Sequence, residues 1–230
     1  MIHRLGIVAA LFAAVVIVDT TCFVATKSTT ADFFVTEAMI VHLSPAARIL
    51  TEEFYSSRNF ITFQIERLKT TLSLESTYPG NSGNTSSKRR QLQQMFVACE
   101  SKTGKVVGFA EVDARPLGSN SDSNGVNRSY MYNLAVDKKW KRKGIASELI
   151  RVCEGYVSDV HELCAENRLY LRVRSCNHAA IALYRSLGYV EVDPLSISLT
   201  KEDINSNSLE DGELILLAKD LPYDSVCEID

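Results

Sequence analysis

The chain has 230 residues, of which 46% are hydrophobic and 23% charged, with 25 basic residues against 28 acidic ones. This length and composition are typical of a globular domain with a substantial core, and the net charge of −3 argues against a general nucleic-acid binder, because such domains are usually basic as a whole. The six cysteines and four histidines lack CxxC pairs and metal-type spacing, so we expect buried or free thiols and no metal centre.

The N-terminal residues resemble a targeting leader. An unbroken apolar run at 5–18 follows two basic residues and is shorter than the roughly 20 residues that a membrane-spanning helix needs. It predicts a signal peptide over 1–22, cut before Phe23, with an uncleaved membrane anchor as the alternative. The Ser/Thr-rich segment 23–31 resembles the second half of leaders that reach algal plastids through the ER. We therefore expect entry into the secretory route and a plastid destination, with the ER lumen or a membrane anchor as alternatives.

Strands and helices are predicted across residues 32–222, which we expect to form one domain with a tail at 223–230. Turn signals and β-rich runs predict strands at 32–38, 94–100, 105–113, 129–136, 169–174, 189–192 and 213–221. Helices are predicted from Ser44-Pro45 to Phe54, from Asn59 onward, from Gly144 to Asn167 and from Asn177 to Leu187. Polar loops occupy 76–90 and 114–128. This order predicts an α/β (α+β) fold with a mixed sheet and one central β-α-β crossover.

A basic segment stands where a predicted strand meets a predicted helix. The stretch "LAVDKKWKRKGIASEL", residues 134–149, places five basic residues around one tryptophan. A strand that enters a helix through glycine leaves backbone N–H groups and the positive helix end at one spot, and Gly144 and Ala146 leave room for close approach. The segment matches neither the Walker nor the dinucleotide-binding pattern. It predicts a seat for a diphosphate, aided by Lys141 and Arg142, with a solvated charge cluster as the alternative.

Two motifs in this part of the chain resemble those of the GNAT superfamily of acetyl-CoA-dependent N-acetyltransferases. The family's first motif, [QR]-x-x-G-x-[GA], is similar to Lys-Arg-Lys-Gly-Ile-Ala at 141–146, where a lysine replaces the usual first residue. The second, N-x-x-A-x-x-[LF]-Y-x-x-x-G-[FY], runs from Asn177 to Tyr189. The similarity is strong over about 94–193, and the helix pair before it resembles the plastid GNAT enzymes of plants, which acetylate protein N-termini and lysines.

The resemblance implies a GNAT fold and an acetyl-CoA site. The fourth and fifth strands would separate and hold the pantetheine arm between them, and the backbone N–H groups after the fourth strand would bind the diphosphate. On this sequence the cofactor-binding residues would be Leu134, Ala135, Val136, Lys141, Arg142, Lys143, Gly144, Ile145, Ala146, Ser147, Asn177, Ala180 and Tyr184. No metal is expected.

The resemblance also implies catalytic residues. Tyr184 would act as general acid toward the departing thiolate. Tyr130 matches a tyrosine that positions a water in some N-terminal acetyltransferases, but their companion histidine falls at Arg172, which cannot act as a base. Glu111 and Asp113, which share a strand face, are the remaining candidate bases. Arg172 and Arg174 also share a face, where they would attract an acidic peptide or pair with carboxylates.

These features predict acetyl transfer from acetyl-CoA to a protein N-terminal α-amine, a lysine ε-amine or both, by direct attack in a ternary complex. One alternative is an enzyme that acetylates a small-molecule amine. The other is a module that binds acetyl-CoA without turnover, which Arg172 at the histidine position suggests. The polar loops carry no signal that separates these acceptors. No nucleic-acid partner is expected, and the oligomeric state is left open.

Overall fold

The computed structural model describes residues 32–55, 60–78, 92–113, 128–160, 166–193 and 214–222. The predicted leader at 1–22, the segment at 23–31, the tail at 223–230 and most of both polar loops lie outside these residues, and the expectations for them stay predictions.

Within the described residues the chain forms seven strands and four α-helices. The strands are β1 (Phe33–Glu37), β2 (Gln93–Glu100), β3 (Val106–Asp113), β4 (Ser129–Val136), β5 (Arg168–Arg174), β6 (Val190–Glu191) and β7 (Leu214–Asp220). The helices are α1 (Ile40–Phe54), α2 (Phe60–Thr77), α3 (Ile145–Asp159) and α4 (His178–Ser186), and a 3₁₀ turn covers Lys138–Trp140. The sheet order is β1-β2-β3-β4-β5-β7-β6. Only the β4–β5 pair in this sheet is parallel, and α3 connects its two strands, so the predicted mixed sheet and central crossover are confirmed.

The sheet buries both of its faces, and the strands alternate between them. On β2, for example, Phe96 packs into the core cluster that contains Ile145 and Leu149 of α3, whereas the adjacent Val97 packs into the cluster that contains Leu43 and Ile49 of α1. Successive strand residues point to opposite faces. The α1 side and the α3–α4 side of the sheet are therefore separate surfaces. Alternate residues of each strand point to one side, and the residues between them point to the other.

Helix α1 begins at Ile40, so the predicted start at Ser44 was wrong and Pro45 lies inside the helix. The first turn forms earlier because the backbone N–H of His42 donates to the carbonyl of Met39 at 2.8 Å, while the N–H of Met39 donates to Nδ1 of His42 at 3.1 Å. Leu43, which is fully buried, anchors this turn to the sheet. Burial of Leu43 against the sheet thus makes the helix begin before the serine-proline pair that the sequence pattern indicated as its start.

Helix α3 ends at Asp159, so the predicted end at Asn167 was too late. Asn167 instead lies just before β5 and is buried. Its side-chain Nδ2 donates to the carbonyls of Leu221 at 3.3 Å and Pro222 at 3.1 Å. Asn167 therefore ties the entry of β5 to the chain that leaves β7.

Two further expectations concern membranes and cysteines. No helix in the described part of the chain has the length and apolar character needed to cross a membrane. Cys99 and Cys153 are buried free thiols and Cys176 is an exposed thiol. The expectation of buried or free thiols is confirmed for Cys99 and Cys153, and the other three cysteines lie outside the described residues.

Gly108 of β3 allows the start of α3 to lie directly on the sheet. A Cβ at this position would fall 2.9 Å from Cγ2 of Ile145 and 3.1 Å from Cδ1 of Leu149. Contacts this short force the neighbouring side chains or the backbone to move.

We expect Gly108→Ala to lower the free energy of unfolding by about 1–3 kcal/mol, although an alanine in a strand usually stabilises relative to glycine. Chemical denaturation measures this. In an Ile145→Ala background, which removes the nearest methyl group, the same substitution should cost less. Fully additive costs would contradict the proposed contact.

Candidate active site

The central feature of the site is an opening between β4 and β5. The two strands pair only where Ser129, Tyr130 and Met131 lie beside residues 169–171 of β5. Beyond that point β4 continues to Val136 and β5 to Arg174 with no further pairing between them in the described chain. We call this gap, between residues 132–136 and 172–174, the β4–β5 opening. In this stretch, the backbone N–H and C=O groups on the β5 edge of β4 therefore face the gap and not a neighbouring strand.

A bulge in β4 lies beside this opening. The register with β3 shifts, because Phe109 pairs with Ala135 while Glu111 pairs with Tyr132. The backbone at Asn133 has a φ of 54°, in the left-handed region that asparagine tolerates better than most residues. An inserted residue bends a strand and increases its twist. The bulge lets β4 stay paired with β3 while it turns away from β5.

The carboxylate of Glu111 on β3 stabilises the bulge through a hydrogen bond. Its Oε2 accepts a hydrogen bond from Nδ2 of Asn133 at 2.9 Å, and its Oε1 accepts one from Nε2 of Gln93 at 2.8 Å. Glu111 is 7% exposed. This placement gives Glu111 a structural role beneath the opening, and its role as a base stays a prediction.

The turn after β4 is built on Asp137. Its Oδ1 accepts from the backbone N–H of Lys139 at 3.0 Å, and its Oδ2 accepts from the guanidinium of Arg48 on α1 at 3.2 Å. Burial alone would raise the pKa of Asp137, but these two hydrogen bonds and the charge of Arg48 outweigh it and lower the pKa below its usual value. Asp137 is therefore an ionised cap that links α1 to the basic segment.

The start of α3 presents unused backbone donors. In the described structure the N–H groups of Ile145, Ala146 and Ser147 donate to no protein acceptor, and the first intrahelical bond runs from Glu148 to the carbonyl of Gly144 at 3.0 Å. Gly144 has a φ of 82°, and a Cβ there would meet nothing within 4 Å. Free N–H groups, the positive helix end and open space together form an anion-binding site. The predicted diphosphate-binding site thus has hydrogen-bond donors and open space for a ligand.

The basic residues around this seat are partly engaged with the protein. Nζ of Lys141 pairs with Glu53 of α1 at 2.5 Å. Nζ of Lys143 lies 4.2 Å from the ring centroid of Trp140 and 3.7 Å from Asp32. Arg142 is exposed and has a φ of 65°. Lys141 and Lys143 thus each share their charge with a carboxylate, whereas Arg142 lies exposed between them in the sequence.

Helix α4 contributes two of the predicted residues. Oδ1 of Asn177 accepts from the N–H of Ala180 at 3.2 Å and caps the helix, which leaves the Nδ2 donors for a ligand. Tyr184 is 7% exposed, and its ring packs edge-on against Tyr189 at 5.8 Å. Burial raises the pKa of Tyr184 to about 12, and the nearby Cys153 adds to the rise. The hydroxyl therefore stays protonated and can act as a hydrogen-bond donor at physiological pH.

A polar cluster lies on the α1 side of the opening. Tyr130 is 1% exposed, and its ring packs against Tyr170 at 5.4 Å and Tyr132 at 6.0 Å. Tyr132 is 38% exposed. Partial burial raises the pKa of Tyr132, with Asp113 adding to the rise and Arg172 opposing it. The phenols of β4 thus stand between a carboxylate of β3 and a guanidinium of β5.

The sequence did not indicate several residues that shape the site. Tyr132, Asn133 and the Arg48–Asp137 pair belong to this group, as does Glu53. The local signal for the bulge was an asparagine inside a strand pattern, because asparagine is enriched at left-handed positions. Nothing local could have paired Arg48 with Asp137, which is 89 residues away.

Comparison with known proteins identifies the family. Residues 60–189 match the acetyltransferase (GNAT) family. The chain belongs to this family. A curated relative, the [Ribosomal protein bS18]-alanine N-acetyltransferase of Escherichia coli strain K12, is 36% identical over 66 residues, which are 29% of this chain and 42% of that protein. The GNAT chain thus spans less than half the length of the curated relatives it matches.

Solved structures show the same GNAT fold at low sequence identity. The histone acetyltransferase HPA2 and related acetyltransferase from Corynebacterium glutamicum is 18% identical, with a TM-score of 0.55, over 84% of this chain and 98% of that one. A structure of the NatC complex bound to Gag peptide and CoA is 15% identical, with a TM-score of 0.53, over 83% of this chain and 99% of that one. The expected GNAT fold is confirmed.

We expect Ala146→Asp to weaken the binding of acetyl-CoA at least tenfold, because the new carboxylate would stand among the donors at the start of α3 and repel a diphosphate. Ala146→Asn, which has the same shape without the charge, should weaken it much less. Isothermal titration calorimetry with acetyl-CoA measures both. Equal losses for the two variants would mean that bulk, and not charge, is responsible.

The ionised Asp137 should contribute stability that depends on pH. Because its pKa is lowered in the folded protein, the contribution is fully present above the unfolded pKa of about 3.9 and is lost as the pH falls through the lower folded pKa. We expect Asp137→Asn to cost about 1.5–3 kcal/mol at pH 7, the range for hydrogen bonds to charged groups. Denaturation of both proteins between pH 7 and pH 3 tests this, since the difference should shrink toward the acid end. A difference that stays constant with pH would contradict the role of the charge.

Proposed function

We propose that this GNAT-family chain transfers the acetyl group of acetyl-CoA to a protein N-terminal α-amine, with lysine ε-amines as further acceptors. The observation that carries the proposal is the set of unused N–H groups at the start of α3. These groups follow β4, the strand that separates from β5 after Met131. The E. coli relative is named for an alanine N-acetyltransferase activity on a ribosomal protein, and the NatC structure holds a peptide and CoA. Both names favour a protein acceptor.

Acetyl-CoA supplies an activated acetyl thioester, and the chain has residues suited to hold each part of it. The N–H groups of 145–147 and the side chain of Arg142 would bind the diphosphate. The unpaired edge of β4 at Leu134–Val136 would pair with the pantetheine arm, and Nδ2 of Asn177 would donate to the same arm. Pairing of this kind is the strand-addition mode by which extended ligands bind exposed sheet edges.

The acceptor amine must be neutral to attack the carbonyl carbon. An α-amine with a pKa of about 7.8 is neutral in about one molecule in seven at pH 7, whereas a lysine with a pKa of about 10.4 is neutral in about one in 2500. An α-amine therefore needs little more than an ordered water as proton acceptor. This low demand supports an α-amine acceptor, because the family resemblance places Arg172, which cannot act as a base, at the position of a histidine, and both carboxylate oxygens of Glu111 already accept hydrogen bonds from the protein.

Tyr184 would stabilise the leaving sulfur. As the amine nitrogen bonds to the carbonyl carbon, the carbon–sulfur bond breaks and the sulfur takes its electron pair as a thiolate. Because burial raises the pKa of Tyr184 to about 12, well above the ordinary thiol pKa of about 8.5, complete transfer of the phenol proton to the thiolate is unfavourable. We infer that Tyr184 donates a hydrogen bond to the thiolate, and that the proton that the attacking nitrogen loses once it has bonded to the carbonyl carbon neutralises this thiolate.

The full chain should therefore release CoA thiol from acetyl-CoA in the presence of peptides with free N-termini. Thiol detection with a panel of peptides and small amines tests the proposal. Release only with small amines such as polyamines would replace it with the small-molecule alternative. Tight acetyl-CoA binding without release for any acceptor would show a binding module.

We expect Tyr184→Phe to lower kcat at least tenfold with acetyl-CoA affinity changed less than twofold, because the hydroxyl acts on the leaving sulfur and not on the bound ground state. Tyr189→Phe is the matched control, since it removes a hydroxyl from the neighbouring buried ring, and it should leave kcat within twofold. Unchanged turnover in Tyr184→Phe would remove the proposed role.

A further inference from the structure

Two arginines stand along the β5 side of the opening. Arg172 and Arg174 pair with β7 across from Leu216 and Leu214, and both lie beyond Leu171, the last β5 residue paired with β4. Alternate residues of a strand share a face and lie about 7 Å apart. The two guanidinium groups can therefore act on one ligand, and both side chains are half-buried.

These arginines face the α1 side of the sheet. Tyr170 and Tyr130 are register partners on that side, and Arg172 follows Tyr170 by two residues, so it shares the same face. The guanidinium carbon of Arg172 lies 6.0 Å from the ring centroid of Tyr130, and its charge acts on the hydroxyl of Tyr132. The arginines are thus on the opposite face of the sheet from α3, which presents the donors for the diphosphate.

The carboxylates on this face lie on the other side of the opening. Asp113 pairs with Tyr130 and Glu111 with Tyr132, so all four side chains share the face, and β3 lies about 10 Å from β5 at a spacing of about 4.8 Å between strands. Negative charge thus lies on β3, positive charge on β5, and the tyrosines of β4 between them. An acceptor with an ammonium group and a nearby carboxylate matches this polarity.

We propose that Arg172 and Arg174 bind a carboxylate of the acceptor, so that the favoured acceptors are peptides with Asp or Glu among their first two residues. The planar guanidinium binds carboxylates through paired, charge-assisted hydrogen bonds. A polyamine, or a peptide that begins with lysine or arginine, would instead meet two like charges. This inference rests on the proposed function, since it names the acceptor class of the same site.

The test compares peptide pairs that differ only in charge, Ser-Glu against Ser-Gln and Glu-Ser against Gln-Ser at the N-terminus, with the full chain and saturating acetyl-CoA. We expect kcat/KM to favour each acidic peptide at least tenfold, through KM, with the preference falling as salt is raised. Arg172→Gln and Arg174→Gln should each reduce the preference at least threefold, through a higher KM for the acidic peptides. An acetyl-CoA affinity and a circular dichroism spectrum equal to those of the parent chain show that the variants are folded.

Two controls separate this role from general effects of charge. Arg151→Gln removes an exposed arginine of α3 that pairs with Glu148 and should leave the preference intact. Arg174→Glu should shift the preference toward a Ser-Lys peptide. A loss of preference in Arg151→Gln would assign the effect to net charge and overturn the site.

The outcomes distinguish this inference from the proposed function. Equal kcat/KM for the acidic and neutral peptides would overturn the inference and leave the proposed function intact. Bound acetyl-CoA with no acetylation of any peptide would overturn the proposed function. Free glutamate acetylated in preference to every peptide would overturn the assignment to peptides.

Discussion

The structure depends on a conflict in backbone pairing at β4. This strand must stay hydrogen-bonded to β3 along its length and yet leave β5 after Met131. A bulge in β4 reconciles the two, because an extra residue bends a strand and increases its twist. At Asn133, β4 has one residue more than the stretch of β3 that it faces. The buried carboxylate of Glu111 accepts a hydrogen bond from the side-chain amide of Asn133, which is itself exposed, so a polar contact at the edge of the core holds the bulge in place.

The opening connects the two faces of the sheet, which carry different chemistry. On the α3–α4 side lie the free N–H groups at the start of α3 and the hydroxyl of Tyr184, both suited to a thioester carrier. On the α1 side lie the tyrosines of β4 with carboxylates and arginines to either side. A gap in the sheet is the place where groups bound on opposite faces can meet. Direct transfer between two bound substrates is consistent with this geometry.

Helix α1 belongs to the site although it donates no predicted catalytic group. Arg48 binds Asp137 at the start of the basic segment, and Glu53 binds Lys141 within it. These contacts hold the turn before α3 in the shape that leaves its N–H groups unused. They also reduce the positive charge that Lys141 offers to a ligand. Binding of an anion would then depend more on the backbone N–H groups and on Arg142.

The sequence by itself determined the order of elements, the mixed sheet, and the two motifs at 141–146 and 177–189, because hydrophobic period, turn residues and glycine positions are local signals. Only the tertiary structure decided the start of α1, where burial of Leu43 outweighed the serine-proline signal, and the end of α3, where Asn167 was needed to tie β5 to the chain after β7. It also decided the bulge at Asn133 and the ionised cap at Asp137. Each of these depends on partners distant along the chain, and the strength of such a contact is set by burial, which no local pattern encodes.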